Sequence, residues 1–418
     1  MPVSVRPGRE SVVPLPDRGR WPGLDKVPPG RLRPAVARLV FRRMVNRLDL
    51  RVELPGGAVW GRGGGGAPAL RIKREREFFA RVGDSGKIGF GEAYMVGAWS
   101  ADDLEAVLRA FAVNVRTLLP RPLRMMRRWW DQRHPAEEDN DSPGAQENIS
   151  RHYDLSNELF ALFLDETMTY SSAWFEPGDS FADAQCRKID GILDLARVRP
   201  GASVLEIGTG WGSLAIRAAQ RGADVTTLTI SPEQERLAEQ RVSAAGVADR
   251  VHVLLQDYRD AEGSYDAVVS VEMIEAVGER WWPTYFRTLD RLLAPGGRVG
   301  LQAIVMPHDA LMAIRRSYSW IHKYIFPGGL VLSHQTIDDT LRQYTSLRVV
   351  SRRDLGLSYA MTLRQWRQRF LASWEEARQL GFDDVFRRMW EYYFAYFESA
   401  FRVGYLDVSQ LALARAAD

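Results

Sequence analysis

The chain contains one cysteine, Cys186, in 418 residues. That excludes an internal disulfide and suits a reducing compartment, so a cytoplasmic protein is expected. No run of about 18 uncharged apolar residues occurs, so no membrane-spanning helix is expected. The N-terminus lacks a basic segment followed by an apolar core, so no secretory signal is expected. Internal repeats are absent, and so is an excess of one charge: 56 Lys and Arg face 53 Asp and Glu, a formal net of +3. Bulk charge therefore selects no class of partner. Apolar residues make up 45% of the chain, enough for a sizeable core, and the length leaves room for two or three domains.

Two nucleotide signatures are missing as well. The spacing Gly208-x-Gly210-x-Gly212 is not the G-x-G-x-x-G of dinucleotide folds, and no phosphate-binding Gly-Lys-Ser/Thr follows it. The next strand, Asp224 to Ile230, ends in Thr229 and Ser231 rather than in the acidic residue a dinucleotide fold uses. What is present is a buried strand, Val204 to Ile207, carrying Glu206 into a glycine turn that opens a helix from Ser213 to Arg221. Glycine lets the backbone approach a ligand closely, and the helix N-terminus presents free N–H groups. With Leu292-Leu293-Ala294-Pro295-Gly296-Gly297-Arg298 further on, the pattern points to S-adenosylmethionine rather than to NAD.

Residues 1–30 are rich in Pro, Gly and Arg and read as irregular. A basic helix is expected over 31–50, then short strands around the Gly61–Gly66 loop, then helices over 88–120. A second basic helix holds Arg121, Arg124, Arg127, Arg128, Trp129 and Trp130. The polar stretch 135–147 reads as an acidic linker. It would separate an N-terminal domain, 1–134, from a second domain, 148–418. In the latter, strands at 204–207, 225–228, 251–255, 267–271 and 298–303 alternate with helices, which implies a parallel sheet with right-handed crossovers. After Met306 the pattern reads as helical and aromatic.

Ligands of such sheets sit at the carboxyl ends of the strands. Those ends offer Glu206 and Gly208, then Thr229 and Gln234, then Gln256, Asp257 and Tyr258, then Glu272 and Glu275, and finally Gln302. Asp257 could accept from an adenine amino group, with Tyr258 against the ring. Polar groups at all five ends are hard to explain without a ligand.

On these residues the chain resembles the cyclopropane-fatty-acyl-phospholipid synthases and mycolic acid methyltransferases. The likeness covers 148–418. It rests on His152-Tyr153-Asp154-Leu155-Ser156-Asn157, Met168-Thr169-Tyr170-Ser171-Ser172-Ala173-Trp174, the glycine turn, Leu228 to Gln234, Gln256 to Asp260, Glu272 to Gly278 and Lys323 to Gly329. The stretches Arg20-Trp21-Pro22, Ile88 to Glu92, Gln302 to His308 and Gly404 to Val408 are most similar to the actinobacterial tuberculostearate branch. The resemblance implies an α/β fold: a Rossmann-like S-adenosylmethionine-dependent methyltransferase sheet with a helical lid, plus a smaller α+β N-terminal domain. It implies that Tyr170, Ser171, Gly208, Gly210, Trp211, Thr229, Gln234, Asp257 and Tyr258 hold the cofactor, with no metal.

The implied reaction is methyl transfer to the double bond of an unsaturated phospholipid chain, oleoyl becoming 10-methylene stearoyl. A separate reductase would then make the 10-methyl branch. A cyclopropane product is the alternative, and a lipid-binding subunit without catalysis is the alternative outside enzymes. Methylating an alkene leaves a carbocation, so water must be excluded and aromatic faces can stabilise the charge. A base must then take a proton. In the family a bicarbonate ion is held there by a cysteine region, a glutamate, a histidine and a tyrosine. Here Glu275 and Tyr359 match, whereas Ser172 stands where many members have cysteine and Gln302 where the cyclopropane enzymes have histidine. Arg38, Arg42 and Arg47, with the second basic helix, would meet either an anionic membrane surface or a neighbouring subunit. A homo-oligomer, peripheral at the inner membrane face, is expected; nucleic acid is not, since no recognition motif accompanies the charge.

Overall fold

A computed structural model describes residues 16–114 and 156–415. The second basic helix, the acidic linker and residues 152–155 lie outside them. Two compact units are formed. One gathers the described residues of Met1–Met125 with Asp383–Tyr392, the other those of Met126–Phe382 and Tyr393–Asp418. The first unit is therefore not one continuous stretch, which a linear reading of composition had no means to detect.

In the first unit the basic helix runs Leu32–Val45. Four short strands follow: β1 Arg51–Glu53, β2 Val59–Trp60, β3 Ala69–Ile72 and β4 Trp99–Ala101, in the order β2-β1-β3-β4. Phe41, Phe78 and Phe79 pack edge to face beneath the helix, with ring centroids 4.9–6.0 Å apart. Gly61, at φ +106°, is required where it stands: a Cβ would lie 1.8 Å from the Leu50 carbonyl oxygen.

The second unit is built on β5 Ser203–Ile207, β6 Asp224–Thr229, β7 Val251–Leu255, β8 Tyr265–Val271, β9 Leu293–Val305, β10 Leu347–Asp354 and β11 Asp407–Arg415. Among the described residues these make a seven-stranded sheet, β10-β11-β9-β8-β5-β6-β7. β7, β6, β5, β8 and β9 are parallel. β11 runs antiparallel to both β9 and β10. This is the Rossmann-like α/β sheet that the resemblance implied, and the five expected strands are its parallel part.

β10 and β11 correct the helical reading of the region beyond Met306. β11 is rich in Ala and Leu, residues that favour helices in isolation. Here the row Val408 to Leu413 is buried between two partner strands, and packing on both edges outweighs propensity.

Helix placement follows from local chemistry. Helix Phe181–Leu195 begins at a capping box in which Ser180 and Asp183 satisfy each other's backbone N–H groups. Helix Pro232–Ala244 has Ser231 as its cap and proline at its first turn. Ile189, Ile192 and Leu193 pack with Val204, Val225, Val251 and Val269 into one core, where Ala215, Ala218 and Ala219 allow close approach. Strand β9 approaches the helix Phe181–Leu195 closely at Gly300, where a Cβ would sit 2.8 Å from the Ile192 carbonyl oxygen and 3.1 Å from Ala196 Cβ. Gly300→Ala should therefore cost ~1–3 kcal/mol through overpacking. Denaturant unfolding measures it, and an unchanged midpoint would contradict the close packing.

Candidate functional site

One cleft opens at the carboxyl ends of the parallel strands. It holds about 1280 Å³ of empty space, part of it continuous with solvent. All nine residues expected to hold the cofactor line it: Tyr170, Ser171, Gly208, Gly210, Trp211, Thr229, Gln234, Asp257 and Tyr258. The glycine turn forms its floor. Gly208, Gly210 and Gly212 have φ of +98°, +53° and +87°, a region that side-chain-bearing residues rarely enter. Gly208 is exposed although Ile207 and Thr209 on either side are buried. A Cβ on Gly210 would meet no protein atom within 4 Å and would take up cleft space. This bare backbone cradle, with the Thr229–Gln234 pair beside it, fits the nucleoside part of S-adenosylmethionine.

The side chains around the floor are fixed by neighbours. Thr229 Oγ1 donates to Gln234 Oε1 at 2.8 Å. Trp211 Nε1 donates to Asn157 Oδ1 at 2.7 Å. Asp257 is gripped by Arg259, whose Nε and Nη2 donate to its two oxygens at 2.9 and 2.6 Å. Tyr258 meets Tyr285 edge to face at 5.5 Å. Lys188, Glu206 and Arg259 also line the cleft, and the sequence assigned none of them to the cofactor. Lys188 donates to Ser171 Oγ at 2.6 Å, and burial pulls its pKa down to about 8. Burial pushes Glu206 up to about 8, although Thr227 Oγ1 donates to it at 2.7 Å. Lys188 reads as the polar side of an amphipathic helix, so no sequence signal announced it.

The four residues expected to be catalytic are arranged differently from the expectation. Ser172, Gln302 and Tyr359 do come together, but around Glu272 rather than Glu275. Glu272 Oε1 accepts from the Ser172 backbone N at 2.9 Å and from Gln302 Nε2 at 2.8 Å. Glu272 Oε2 accepts from the Tyr359 hydroxyl at 2.7 Å. Glu272 lines the cleft, whereas Ser172, Gln302, Tyr359 and Glu275 stand behind it. Its backbone is at φ +50°, an uncommon conformation for a residue with a side chain. Glu275 turns the other way: Oε1 accepts from the Ile304 backbone N, and among the described residues the buried Oε2 has no partner. Burial, then the nearby Glu272 charge, push Glu275 up to about 8.

Gln302 has a fixed orientation. Its Oε1 accepts from Gln410 Nε2 at 3.0 Å, and a carboxylate can only accept, so the amide nitrogen must face Glu272. Gln410 lies directly opposite Gln302 in the β11–β9 ladder, so the unexpected strand is what sets this amide. Aromatic rings close the far side: Tyr170 stacks on Trp366 at 5.0 Å, and Tyr359 lies 4.5 Å from Phe401.

With this geometry in view, comparison with known proteins is decisive. The family model of mycolic acid cyclopropane synthetase matches residues 141–411. The chain belongs to this family. It is 50% identical over 410 residues to the tuberculostearic acid methyltransferase UfaA1 of Mycobacterium tuberculosis, with 96% of each chain covered. It is 35% identical over 360 residues to the cyclopropane-fatty-acyl-phospholipid synthase of Escherichia coli, covering 85% of this chain and 90% of that one. Among solved structures, the mycolic acid cyclopropane synthase CmaA1 complexed with SAH and CTAB superposes with a TM-score of 0.60 at 30% identity. That match covers 64% of this chain and 97% of CmaA1. The chain is an S-adenosylmethionine-dependent methyltransferase of acyl lipids.

The state of Glu275 has a consequence for stability. A folded-state pKa of about 8 against an ordinary 4.5 means that the folded protein holds this proton more tightly than the unfolded chain. Its contribution to stability is complete below about pH 4.5 and is lost as pH rises towards about pH 8. The wild type should lose on the order of 1–3 kcal/mol more than Glu275→Gln between about pH 5 and about pH 9. Thermal unfolding across that range checks it, and parallel curves would show that Glu275 titrates normally.

Proposed function

We propose that the chain methylates the double bond of an unsaturated phospholipid acyl chain, converting oleoyl to 10-methylene stearoyl, the precursor of a 10-methyl branch made by a separate reductase. The observation that supports this most is the cleft itself, where a bare glycine cradle shares one space with a hydrogen-bonded carboxylate, Glu272, and the face of Tyr170. S-adenosylmethionine supplies an electrophilic methyl group when bound. The glycine turn, Thr229 and Gln234 would seat its nucleoside, and Ser171 and Trp211 would flank it. The Tyr170–Trp366 stack offers ring faces to the cation that forms on the acyl chain. Buried Phe163, Trp366 and Phe370 behind Tyr170 keep water from trapping that cation as an alcohol.

The test is lipid mass spectrometry from a host expressing this chain alone. Acyl chains heavier by one methylene, which ozonolysis cleaves at an exocyclic double bond, are expected. A cyclopropane product would overturn the methylene assignment. Cofactor binding without any lipid change would favour a non-catalytic lipid-binding subunit. Gly208→Val should abolish cofactor binding in calorimetry, because a branched side chain would enter the cleft at φ +98°; unchanged affinity would remove the turn from the site.

The first unit would serve as the membrane-facing part. Leu32, Val36 and Leu39 are 78%, 49% and 52% exposed, and with Arg43 they fall on one face of the helix Leu32–Val45. Arg38 is partly used within the unit, since it pairs with Glu75 at 2.7 Å and lies over Trp60. Among the described residues no helix is long and apolar enough to cross a membrane, so surface attachment is the mode available to this helix. Val36→Glu with Leu39→Glu should lower binding to anionic phospholipid vesicles at least tenfold, since each negative charge brought to the anionic surface costs about 1 kcal/mol. Co-sedimentation reads the effect, and undiminished binding would rule this face out.

A further inference from the structure

We propose that Glu272 is the resident proton acceptor of the reaction and occupies the place that a bound carboxylate-like ion would otherwise fill. The proposal rests on the acyl-lipid methyl transfer above. Its basis is the disposition of donors. The Ser172 backbone N–H, the Gln302 amide and the Tyr359 hydroxyl converge at 2.7–2.9 Å as they would on a small oxyanion. All three are spent on the side chain of Glu272. A bicarbonate ion therefore does not fit behind this wall: its donors are taken and its space holds a covalently attached carboxylate.

Three further observations agree. Glu272 is the member of this group that lines the cleft, which puts it nearest to where a reacting chain would lie. Among the described residues its hydrogen-bond partners are three donors, the arrangement that suits an ionised carboxylate. Its φ of +50° is a conformation that glycine adopts freely and glutamate adopts only under strain. A side chain kept at such a position has work that glycine could not do.

The alkene π pair forms the new C–C bond to the transferred methyl, leaving S-adenosylhomocysteine and a cation on the neighbouring carbon. A hydride moves with its pair to that carbon, placing the cation on the methylated one. Glu272 then takes a proton from the new methyl group, and the C–H pair becomes the exocyclic π bond. The proton leaves to solvent through the cleft. The groups facing Glu272 are Lys188, Glu275 and Tyr359. Tyr359, Gln302 and Ser172 are positioning residues.

The experiment compares the wild type, Glu272→Gln and Glu272→Gly in carbon-dioxide-depleted buffer, with and without added bicarbonate or formate. Wild-type turnover should not change on adding either ion. Glu272→Gln should lose at least ~100-fold in turnover, the size of a lost general base, and still bind S-adenosylmethionine. Glu272→Gly suits the backbone and leaves a carboxylate-sized space. It should be inactive alone, should bind formate in calorimetry where the wild type does not, and should recover turnover at least tenfold with either ion. A wild type that methylates lipid only when bicarbonate is supplied would overturn the proposal without any variant. Normal turnover of Glu272→Gln, or a cofactor-binding Glu272→Gly that neither binds formate nor recovers, would overturn it too. A wild type that yields no methylated lipid under any condition overturns instead the reading on which the proposal rests.

Discussion

A carboxylate set among neutral donors organises this site. Removing its charge from water costs several kcal/mol, and hydrogen bonds to a charged group return about 1.5–3 kcal/mol each. The three donors to Glu272 come from three separate elements: the loop at Ser172, strand β9 at Gln302 and helix Gly356–Ala372 at Tyr359. None of the three can move without leaving a charged oxygen short of a partner. The hydrogen bonds also close on themselves. Gln302 accepts from Gln410, Gln410 also donates to the Lys188 carbonyl, and Lys188 Nζ donates to Ser171 beside Ser172. A ring of this kind links both sides of the sheet to the cleft wall, and each member fixes the orientation of the next.

How much of this was legible in the sequence depends on range. The glycine turn, the five parallel strands and the strand-end residues Thr229, Gln234, Asp257 and Tyr258 follow from local signals: an apolar run, a turn that demands glycine, a polar residue at a strand end; Tyr170, Ser171 and Trp211 came from the family resemblance alone. Those signals are carried within a few residues and survive whatever the rest of the chain does. β10 and β11 are not local in that sense. Leu347 to Asp354 mixes Val with four charged residues, and Asp407 to Arg415 has helix-favouring composition; β11 becomes a strand because the open edge of β9 accepts it, and β10 because the outer edge of β11 does. Missing β11 meant missing Gln410, and with it the reason why Gln302 points its nitrogen at a carboxylate.

The catalytic assignment shows a different limit. Glu272 and Glu275 stand three apart at the end of β8, and spacing says that both are near the cleft without saying which enters it. The left-handed backbone at Glu272 decides: it turns that side chain towards Ser172 and Tyr359 and hands Glu275 to the backbone of β9 at Ile304. No composition or periodicity encodes a single residue at φ +50°. Resemblance drew attention to Glu275, because the family pattern names a glutamate there, and it gave Glu272 no role.

The two carboxyl groups also divide one charge between them. Two adjacent buried carboxylates raise each other's pKa and titrate as a pair, not as independent acids. Their surroundings differ in the property that decides which one ionises. Glu272 has three donors and, from Lys188, a cation that favours its charged form. Glu275 Oε1 accepts from the Ile304 backbone N, and among the described residues its buried Oε2 meets no donor. The proton of the pair therefore resides on Glu275 and the charge on Glu272. Burial still pushes Glu272 above the usual carboxylate range, which strengthens it as a base while the donors keep it ionised. An environment that separates two like groups in this way assigns an acid form to one and a base form to the other. The base form is the one at the cleft wall.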